Sequence, residues 1–299
     1  MSLFLKIIVS QMKRQPAMQL GPDTDFAAQR AAIDAQSSRM PVQKGVKIEK
    51  TELGGVPAEC LSPDKLQTDH VILYIHGGAF SFGSAETSRA YASVLAKMLG
   101  AKVFTLSYRL APEHKYPAGA DDCFAAYRAL VQANPERKIA IIGESAGATL
   151  TLVTALRAKA EGLKMPAALV PISPAGTMAE DLPSRRNNVK RDLVVPYENV
   201  SSLLRQIYLE NGQNPKDPFV SPLYGDYTGF PCVFITTDES EVLHDDAELL
   251  AKNMEKAGVT VTFCELKGTF HSFPTLGNIC PEGKAINEQI RSFVRSALK

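Results

Sequence analysis

The chain lacks the cysteine pattern of a disulfide-bonded or zinc-binding protein. It has an odd number of cysteines, with no Cys-x-x-Cys pair and no histidine at zinc-ligand spacing. Neither a disulfide framework nor a metal site is therefore indicated. We expect these residues to be small core side chains of a protein in a reducing compartment, the cytoplasm. They are Cys60, Cys123, Cys232, Cys264 and Cys280.

Long apolar runs and an excess of one charge are also missing. No stretch approaches 18 consecutive apolar residues, so we expect no stable membrane insertion. The apolar run at the N-terminus is interrupted by Lys6 and has no basic region before it, so no signal peptide is predicted. The formal net charge of +1 argues against nucleic acid as a partner.

The composition that is present is that of an ordinary globular protein, with 45% hydrophobic and 22% charged residues in 299. This length is sufficient for one large α/β domain. From residue 46 onward, a hairpin around Gly54-Gly55 is followed by the alternation of strands and helices that is typical of parallel βαβ units. We therefore expect one domain over residues 46–299, with a mostly parallel central sheet and helices on both faces.

The expected elements follow from hydrophobic periodicity and from the positions of glycine and proline. Strands are predicted at residues 46–61 (the hairpin), 71–75, 102–106, 138–142, 167–172, 232–236 and 260–266. Helices are predicted at residues 88–99, 117–132, 146–160, 198–210, 242–257 and 282–298.

Two segments fall outside this alternation. Residues 176–218 are charged and punctuated by proline, with only one helix-like piece, as expected of a cap inserted between strands. Residues 1–45 are expected to be helical in part and to contribute to that cap, with a short helix over 26–37 within otherwise irregular structure. An amphipathic N-terminal helix is expected to pack its apolar face on the body of the protein rather than on a membrane surface. That face comprises Leu3, Phe4, Ile7, Ile8 and Met12.

The chain is organised around the sequence Gly143-Glu-Ser-Ala-Gly147. A β-branched run precedes it and a helix-forming segment follows, which is the context in which G-x-S-x-G places a serine on a sharp, strained turn. Side chains at the two glycine positions would collide with the neighbouring strand and helix. Ser145 is therefore the candidate nucleophile.

A serine hydroxyl requires a base within hydrogen-bond reach and an acid that orients the base. His271 follows a predicted strand and precedes the last helix, in the chain order Ser, acid, His. His70, His114 and His244 are interpreted as structural or solvated. His271 is therefore the candidate base.

The acid is ambiguous because five carboxylates lie within residues 236–246. Asp245 and Asp246 continue into a predicted helix, where acids of the first turn interact with the macrodipole. Asp238 lies closer to the end of the strand, whereas Glu241 has the longer reach. Glu241 and Asp238 remain the two candidates, and Glu239 is the fifth carboxylate.

A glycine-rich turn follows the buried strand upstream of the nucleophile, in the sequence His76-Gly-Gly-Ala-Phe80. Backbone N–H groups of such a turn can converge with the N–H of Ala146 on a developing oxyanion. We expect Gly78, Ala79 and Ala146 to supply these donors and Gly77 to shape the turn.

Four motifs together resemble the hormone-sensitive-lipase-like branch of the α/β-hydrolase fold, over the chain from about Val71 to the end. The H-G-G-A-F turn is similar to the family's H-G-G-G-[FW], and G-E-S-A-G is similar to its elbow. Tyr108-Arg-Leu-Ala-Pro-Glu-His114 with Tyr-Pro-Ala from Tyr116 matches a family signature, and residues 217–224 resemble the segment that leaves the family's cap. Ala79 departs from the third glycine and adds a methyl group beside the hole.

The resemblance implies an α/β-hydrolase fold with an inserted helical cap. It also favours Glu241 over Asp238, because the family pattern acid-x-Leu-x-Asp fits residues 241–245 without a gap. It further implies that His76 positions the oxyanion loop and that residues 108–114 support the site, and it is compatible with a homodimer.

The expected function is a serine carboxylesterase that hydrolyses short-chain esters through Ser145, Glu241 and His271 by way of an acyl-enzyme. Such a reaction needs no cofactor, and its partner is a small-molecule ester. Two alternatives remain, an amidase or peptidase that uses the same residues and a non-catalytic ligand-binding protein on the same fold.

Overall fold

The computed structural model describes residues 1–14, 20–21 and 24–299. Its strands are β1 (Val46–Leu53), β2 (Val56–Pro63), β3 (Val71–Ile75), β4 (Lys102–Leu106), β5 (Ile139–Glu144), β6 (Ala168–Ile172), β7 (Cys232–Asp238) and β8 (Val261–Leu266). Its α-helices are α1 (Leu3–Met12), α2 (Phe26–Ser37), α3 (Arg89–Leu99), α4 (Ala118–Ala133), α5 (Ala146–Ala160), α6 (Pro183–Asn187), α7 (Val200–Tyr208), α8 (His244–Lys256) and α9 (Pro281–Leu298).

The strands form one eight-stranded sheet in the order β1-β2-β4-β3-β5-β6-β7-β8. The β1–β2 hairpin pairs antiparallel, and β2 also pairs antiparallel with β4, whereas the neighbours from β4 to β8 are parallel. The expected mostly parallel α/β sheet is confirmed.

The sheet separates two hydrophobic cores. Along β3, Val71, Leu73 and Ile75 belong to the core that also contains side chains of α4, α5 and α8, whereas Ile72 and Tyr74 belong to the core beneath α3 and α9. Strands buried on both faces have no polar positions to alternate with apolar ones, which explains their continuous aliphatic sequences. Helices therefore cover both faces, as expected.

Several element ends differ from the sequence predictions. β5 continues two residues further than expected, because Gly143 and Glu144 pair with Pro171 and Ile172 of β6. The strand expected over 232–236 also extends to Asp238. Since parallel strands end at one edge, these extensions bring Glu144 and Asp238 to the edge of the sheet where Ser145 begins the next turn.

The segment between β6 and β7 contains more helix than expected. The prediction of a single helix-like piece in residues 176–218 is wrong, because α6 precedes α7. Helix α6 has five residues, too few for a periodic pattern to be recognised. It is held by tertiary contacts, since Arg185 is fully buried and paired with Asp246 of α8.

Helix α1 forms as expected but packs on a different face. Leu5 is fully buried and Ile8, Val9 and Met12 pack around it, whereas Leu3, Phe4 and Ile7 are exposed. The expected face was wrong because apolar residues surround most of this helix, so spacing alone did not select one side. The Ser2 hydroxyl, which donates to Glu282 of α9 at 2.8 Å, helps to set its rotation.

Helix α2 has the predicted bounds, and the irregular structure expected over 16–45 lies partly outside the described residues. Among the helices of the described ranges, none has the length and apolar content needed to cross a bilayer.

Candidate active site

Ser145 lies on a sharp turn between β5 and α5, with φ 54° and ψ −123°. A Cβ at Gly143 would lie 2.3 Å from the carbonyl oxygen of Gly147, and one at Gly147 would lie 2.1 Å from that of Ile75. These positions therefore exclude any side chain. The backbone holds Ser145 in a conformation that costs a non-glycine residue on the order of 1–3 kcal/mol, which the surrounding structure must offset.

His271 and Glu241 are joined in the buried space beside this turn. The distance between His271 Nδ1 and Glu241 Oε2 is 2.7 Å, and both side chains are almost completely buried. Burial is the largest single influence and lowers the pKa of His271, but the charge and hydrogen bond of Glu241, together with the charges of Asp192 and Glu144, leave the pKa raised. The carboxylate therefore stabilises the protonated imidazole.

The second nitrogen of His271 is left for another partner. Nε2 is buried and forms no hydrogen bond within the part of the chain that the structure describes. His271 and Ser145 both line one cavity of about 630 Å³. An unpaired ring nitrogen in the cavity that holds the serine is available to accept a proton there.

The other carboxylates near Glu241 have different partners. Asp238 accepts the backbone N–H of Thr269 at 2.8 Å and its hydroxyl at 2.7 Å, and it also accepts the N–H of Ser240. Asp238 therefore fixes the loop that leads to His271 without touching the imidazole. The remaining three contact cap or surface residues: Glu239 pairs with Arg191, Asp245 accepts the N–H of Ser184, and Asp246 pairs with Arg185.

Three of the other histidines have structural or solvated settings. His70 is half-buried and accepts the backbone N–H of Lys138, and His114 is exposed. His244 begins α8, where it contacts Asp245 and Glu265.

The turn after β3 has an unusual backbone, with positive φ at Gly78, Ala79 and Phe80. The N–H groups of Gly78 and Ala79 have no acceptor among the described residues, whereas the N–H of Gly77 donates to Glu144 Oε1 at 2.8 Å. Gly77, Gly78, Ala79 and Ala146 all line the cavity. Gly77 therefore shapes the turn, and the N–H groups of Gly78 and Ala79 remain available.

The buried ring of His76 contacts this turn and supports it. Its ring stacks on Tyr108 with 4.2 Å between ring centroids, and its Nδ1–H donates to the carbonyl of Gly77 at 2.8 Å. Burial lowers the pKa of His76 to about 4, so the ring is neutral near pH 7. Tyr108 also donates its hydroxyl to the carbonyl of His76 at 2.9 Å.

The sequence did not indicate Ser173, whose side chain contacts both Glu241 and the residue after His271. Its hydroxyl donates to Glu241 Oε1 at 2.9 Å and accepts the N–H of Ser272 at 3.0 Å. The available signal was its position directly after β6, at the edge of the sheet where functional side chains of parallel sheets collect.

The segment after β6 is tied to the loop that carries Glu241. Asn188 donates its side-chain amide to the carbonyl of Glu241 at 2.9 Å, and Asp192 accepts the N–H of Val242 at 2.9 Å. The fully buried Arg185 donates Nε to Asp246 at 2.9 Å. No sequence motif indicated these contacts, because each joins residues about 50 to 61 positions apart.

Much of the remaining cavity wall comes from the N-terminal segment and from the segment between β6 and β7. Apolar side chains that these segments contribute include Met12, Leu20, Ile33, Ala175, Leu193, Val194, Val195, Tyr197, Val200 and Leu204. In the described ranges, no group of three histidine, cysteine or acidic side chains is placed to hold a metal ion.

Comparisons with known proteins decide the family. A family model described as the α/β-hydrolase fold matches residues 72–275. The chain belongs to this family. The hydrolase is 35% identical over 246 residues to an acetyl-hydrolase of Streptomyces hygroscopicus, covering 82% of this chain and 81% of the relative. It is 34% identical over 270 residues to an esterase of Acinetobacter venetianus, covering 90% and 88%.

A solved structure agrees with these relatives. A hormone-sensitive lipase from a metagenome library aligns with a TM-score of 0.90 at 32% identity, covering 99% of the hydrolase and 97% of that chain. The resemblance to the hormone-sensitive-lipase-like branch is thus confirmed. Together with the esterase relatives, it identifies this α/β-hydrolase as a carboxylic-ester hydrolase.

Proposed function

We propose that the hydrolase cleaves short-chain carboxylic esters with Ser145 as nucleophile, His271 as base and Glu241 as the orienting acid. The observation that carries this proposal is the buried His271–Glu241 contact of 2.7 Å, with Nε2 of the same imidazole unpaired in the described structure and next to the cavity of Ser145. A neutral imidazole held through Nδ1–H has its lone pair on Nε2, as a general base requires.

The reaction begins when His271 Nε2 takes the proton of the Ser145 hydroxyl while the oxygen attacks the ester carbonyl. Glu241 stabilises the imidazolium, and the N–H groups of Gly78, Ala79 and Ala146 donate to the oxyanion; one such donor is worth about 3–4 kcal/mol of barrier. His271 then gives the proton to the leaving alkoxide, which leaves an acyl-enzyme on Ser145. Water, activated by the same histidine, releases the acid.

The preference for short acyl chains, roughly C2 to C6, rests on two observations. Ala79 lines the cavity at the position where the family motif has glycine, and we expect its methyl group to narrow the space around the carbonyl. The Streptomyces relative is named as an acetyl-hydrolase. Hydrolysis of p-nitrophenyl esters from acetate to palmitate, with Ser145→Ala as blank, measures this preference. Faster turnover of emulsified long-chain triglyceride than of soluble butyrate esters would contradict it.

Cleavage of amides by the same residues is tested by comparing the hydrolysis rates of an ester and an anilide of the same acyl group.

The division into a cap of residues 1–45 and 176–218 over a catalytic domain stays a prediction, supported by the side chains that these segments place around the cavity. The cytoplasmic location and the homodimer also stay predictions.

A further inference from the structure

A network of buried polar side chains lies behind Ser145 and touches two active-site loops. Glu144 precedes the nucleophile, and its two carboxylate oxygens accept the N–H of Gly77 at 2.8 Å and the hydroxyl of Tyr74. Gly77 begins the oxyanion loop, so the carboxylate ties that loop to the strand that carries Ser145. The function described above gives Glu144 and Tyr74 no role.

The network continues through a second tyrosine into the last helix. The ring of Tyr74 packs edge-on against Tyr91 of α3, with 5.5 Å between ring centroids. The hydroxyl of Tyr91 donates to Asn287 Oδ1 of α9 at 2.9 Å. Tyr74, Tyr91 and Asn287 are each at most 4% exposed, so water does not replace these contacts.

Asn287 in turn holds the segment that follows His271. Its side-chain amide donates to the carbonyl of Pro274 at 3.0 Å and to that of Gly283 at 2.9 Å. Pro274 lies in the short 3-10 helix Phe273–Leu276, which begins two residues after His271. A residue of α9 therefore fixes the loop of the proposed base.

We propose that Glu144, Tyr74, Tyr91 and Asn287 form a positioning framework that holds the oxyanion loop and the His271 loop at a fixed separation around Ser145. This inference rests on the proposed function, because it assigns these residues to the geometry of that reaction. None of the four is a catalytic residue. They act through Gly77 and through the segment after His271, and errors of about 1 Å at such positions cost on the order of 10²-fold in rate.

The charge of Glu144 adds a second, electrostatic effect. Burial raises the pKa of Glu144 to about 7, and its negative charge contributes to the raised pKa of His271. The other titratable groups around this carboxyl are Tyr74, Tyr91 and Tyr108, and burial raises the pKa of each. These tyrosines stay neutral near pH 7, so Glu144 is the group of this cluster that titrates near neutral pH, beside the proposed base His271.

The sign of the pH effect follows from the hydrogen bonds. As a carboxylate, Glu144 accepts from both Gly77 and Tyr74, whereas a protonated carboxyl must donate its own proton and weakens one of these bonds. Raising the pH therefore completes the framework by deprotonating Glu144 and frees the base by deprotonating His271. The rising limb of kcat/KM against pH is then governed by two protons rather than one.

The test compares Glu144→Gln, Tyr91→Phe and the double variant on p-nitrophenyl butyrate. Tyr127→Phe is the matched control, because Tyr127 is a buried tyrosine in the core on the other face of the sheet, and its hydroxyl donates to the backbone carbonyl of Lys164 at 2.6 Å. Each variant is checked by circular dichroism and by its melting temperature. Ser145→Ala tests the proposed function separately.

We expect Tyr91→Phe and Tyr127→Phe to lower the melting temperature similarly, but only Tyr91→Phe to lower kcat, about three- to tenfold, with KM unchanged, since small displacements of positioned groups act on the transition state. Glu144→Gln should lower kcat about 10- to 100-fold, move the rising limb to lower pH and reduce it to one proton. In the double variant the two losses should not multiply, because both act on one framework.

Equal kcat for Tyr91→Phe and Tyr127→Phe would overturn the framework, as would an unchanged pH profile in Glu144→Gln. If Glu144→Gln does not fold, Tyr74→Phe and Glu144→Asp provide the comparison in kcat, because each disturbs the bonds of this carboxylate without removing its charge. Activity retained in Ser145→Ala would overturn the proposed function instead, so the two failures are distinguishable.

Discussion

The two sides of the cavity are built in different ways. On the sheet side, Ser145, Ser173 and Asp238 lie at the ends of adjacent parallel strands. Glu241 accepts the Ser173 hydroxyl at 2.9 Å and the backbone N–H of Asp238 at 2.6 Å, and it contacts His271 at 2.7 Å. On the covering side, apolar side chains come from the N-terminal segment and from the segment between β6 and β7, and Val194 is 37% exposed. We therefore expect the sheet side to fix the chemistry and the covering side to set which ester fits.

The largest expected effect is a loss of kcat when a residue on the sheet side of the cavity is changed. Glu241→Gln should lower kcat by about 10⁴, because an amide favours the wrong imidazole tautomer, and that is the loss recorded for the equivalent change in the best-studied triad. Asp238→Asn should cost far less in kcat, since Asp238 holds Thr269 and not His271. Kinetics at neutral pH, with folding checked by circular dichroism, measures both. Collapse of activity in Asp238→Asn alone would assign the acid to Asp238.

The next largest effect is expected on stability, where α6 of the covering side contacts α8 through the pair of Arg185 and Asp246. Both side chains are fully buried, and removing one partner of such a pair leaves an uncompensated charge. Arg185→Met should therefore lower the free energy of unfolding by about 3–5 kcal/mol. Lys252→Met removes the exposed ion pair with Glu248 and should cost less than about 1 kcal/mol. Equal losses in urea unfolding would show that Arg185 does not anchor the covering segment.

The pH dependence tests the proposed base. Because His271 must be neutral to accept a proton, kcat/KM should be low in acid and rise as the pH passes the pKa of His271. Burial lowers that pKa, but Glu241 together with Asp192 and Glu144 leaves it above its ordinary value of 6.5, so the midpoint should lie above pH 6.5. The sequence alone had suggested about 6–7. A rate that is flat from pH 5 to 9 would contradict the assignment of His271.

The smallest effect is expected on the covering side. Val194→Trp should narrow the cavity and lower the ratio of hexanoate to acetate hydrolysis about three- to tenfold, since methylene groups in an apolar pocket are worth about 1–3 kcal/mol. The rate on acetate should stay within about twofold. Leu66→Trp, at a 50% exposed position outside the cavity, is the control. An equal loss on acetate and hexanoate in Val194→Trp would mean that this side also positions the chemistry.

The same division explains what could be predicted from sequence. The strands and the turn of Ser145 were accessible because burial on both faces and a glycine-bounded turn are local patterns. Local patterns did not decide between Glu241 and Asp238, because Asp238 ends β7 and Glu241 follows it closely, and their hydrogen bonds involve Thr269 and Ser173, which are distant in sequence. The family resemblance favoured Glu241.

The covering side was less predictable. Helix α6 depends on the tertiary pair of Arg185 and Asp246, and the rotation of α1 depends on Glu282 of the last helix. The hydrogen bond between Glu144 and Gly77 likewise joins the end of β5 to the turn after β3, two elements that are not consecutive in sequence. Tertiary contacts decided each of these features, and local sequence does not encode them.

The most direct test of the central claim is the rate of Ser145→Ala on p-nitrophenyl butyrate, with mass spectrometry of the wild-type enzyme quenched during turnover. If Ser145 is the nucleophile, we expect a folded variant whose kcat is lower by several orders of magnitude, and a butyryl adduct on the wild-type peptide that contains Ser145. Retention of a tenth of the activity, or an adduct on another residue, would contradict it.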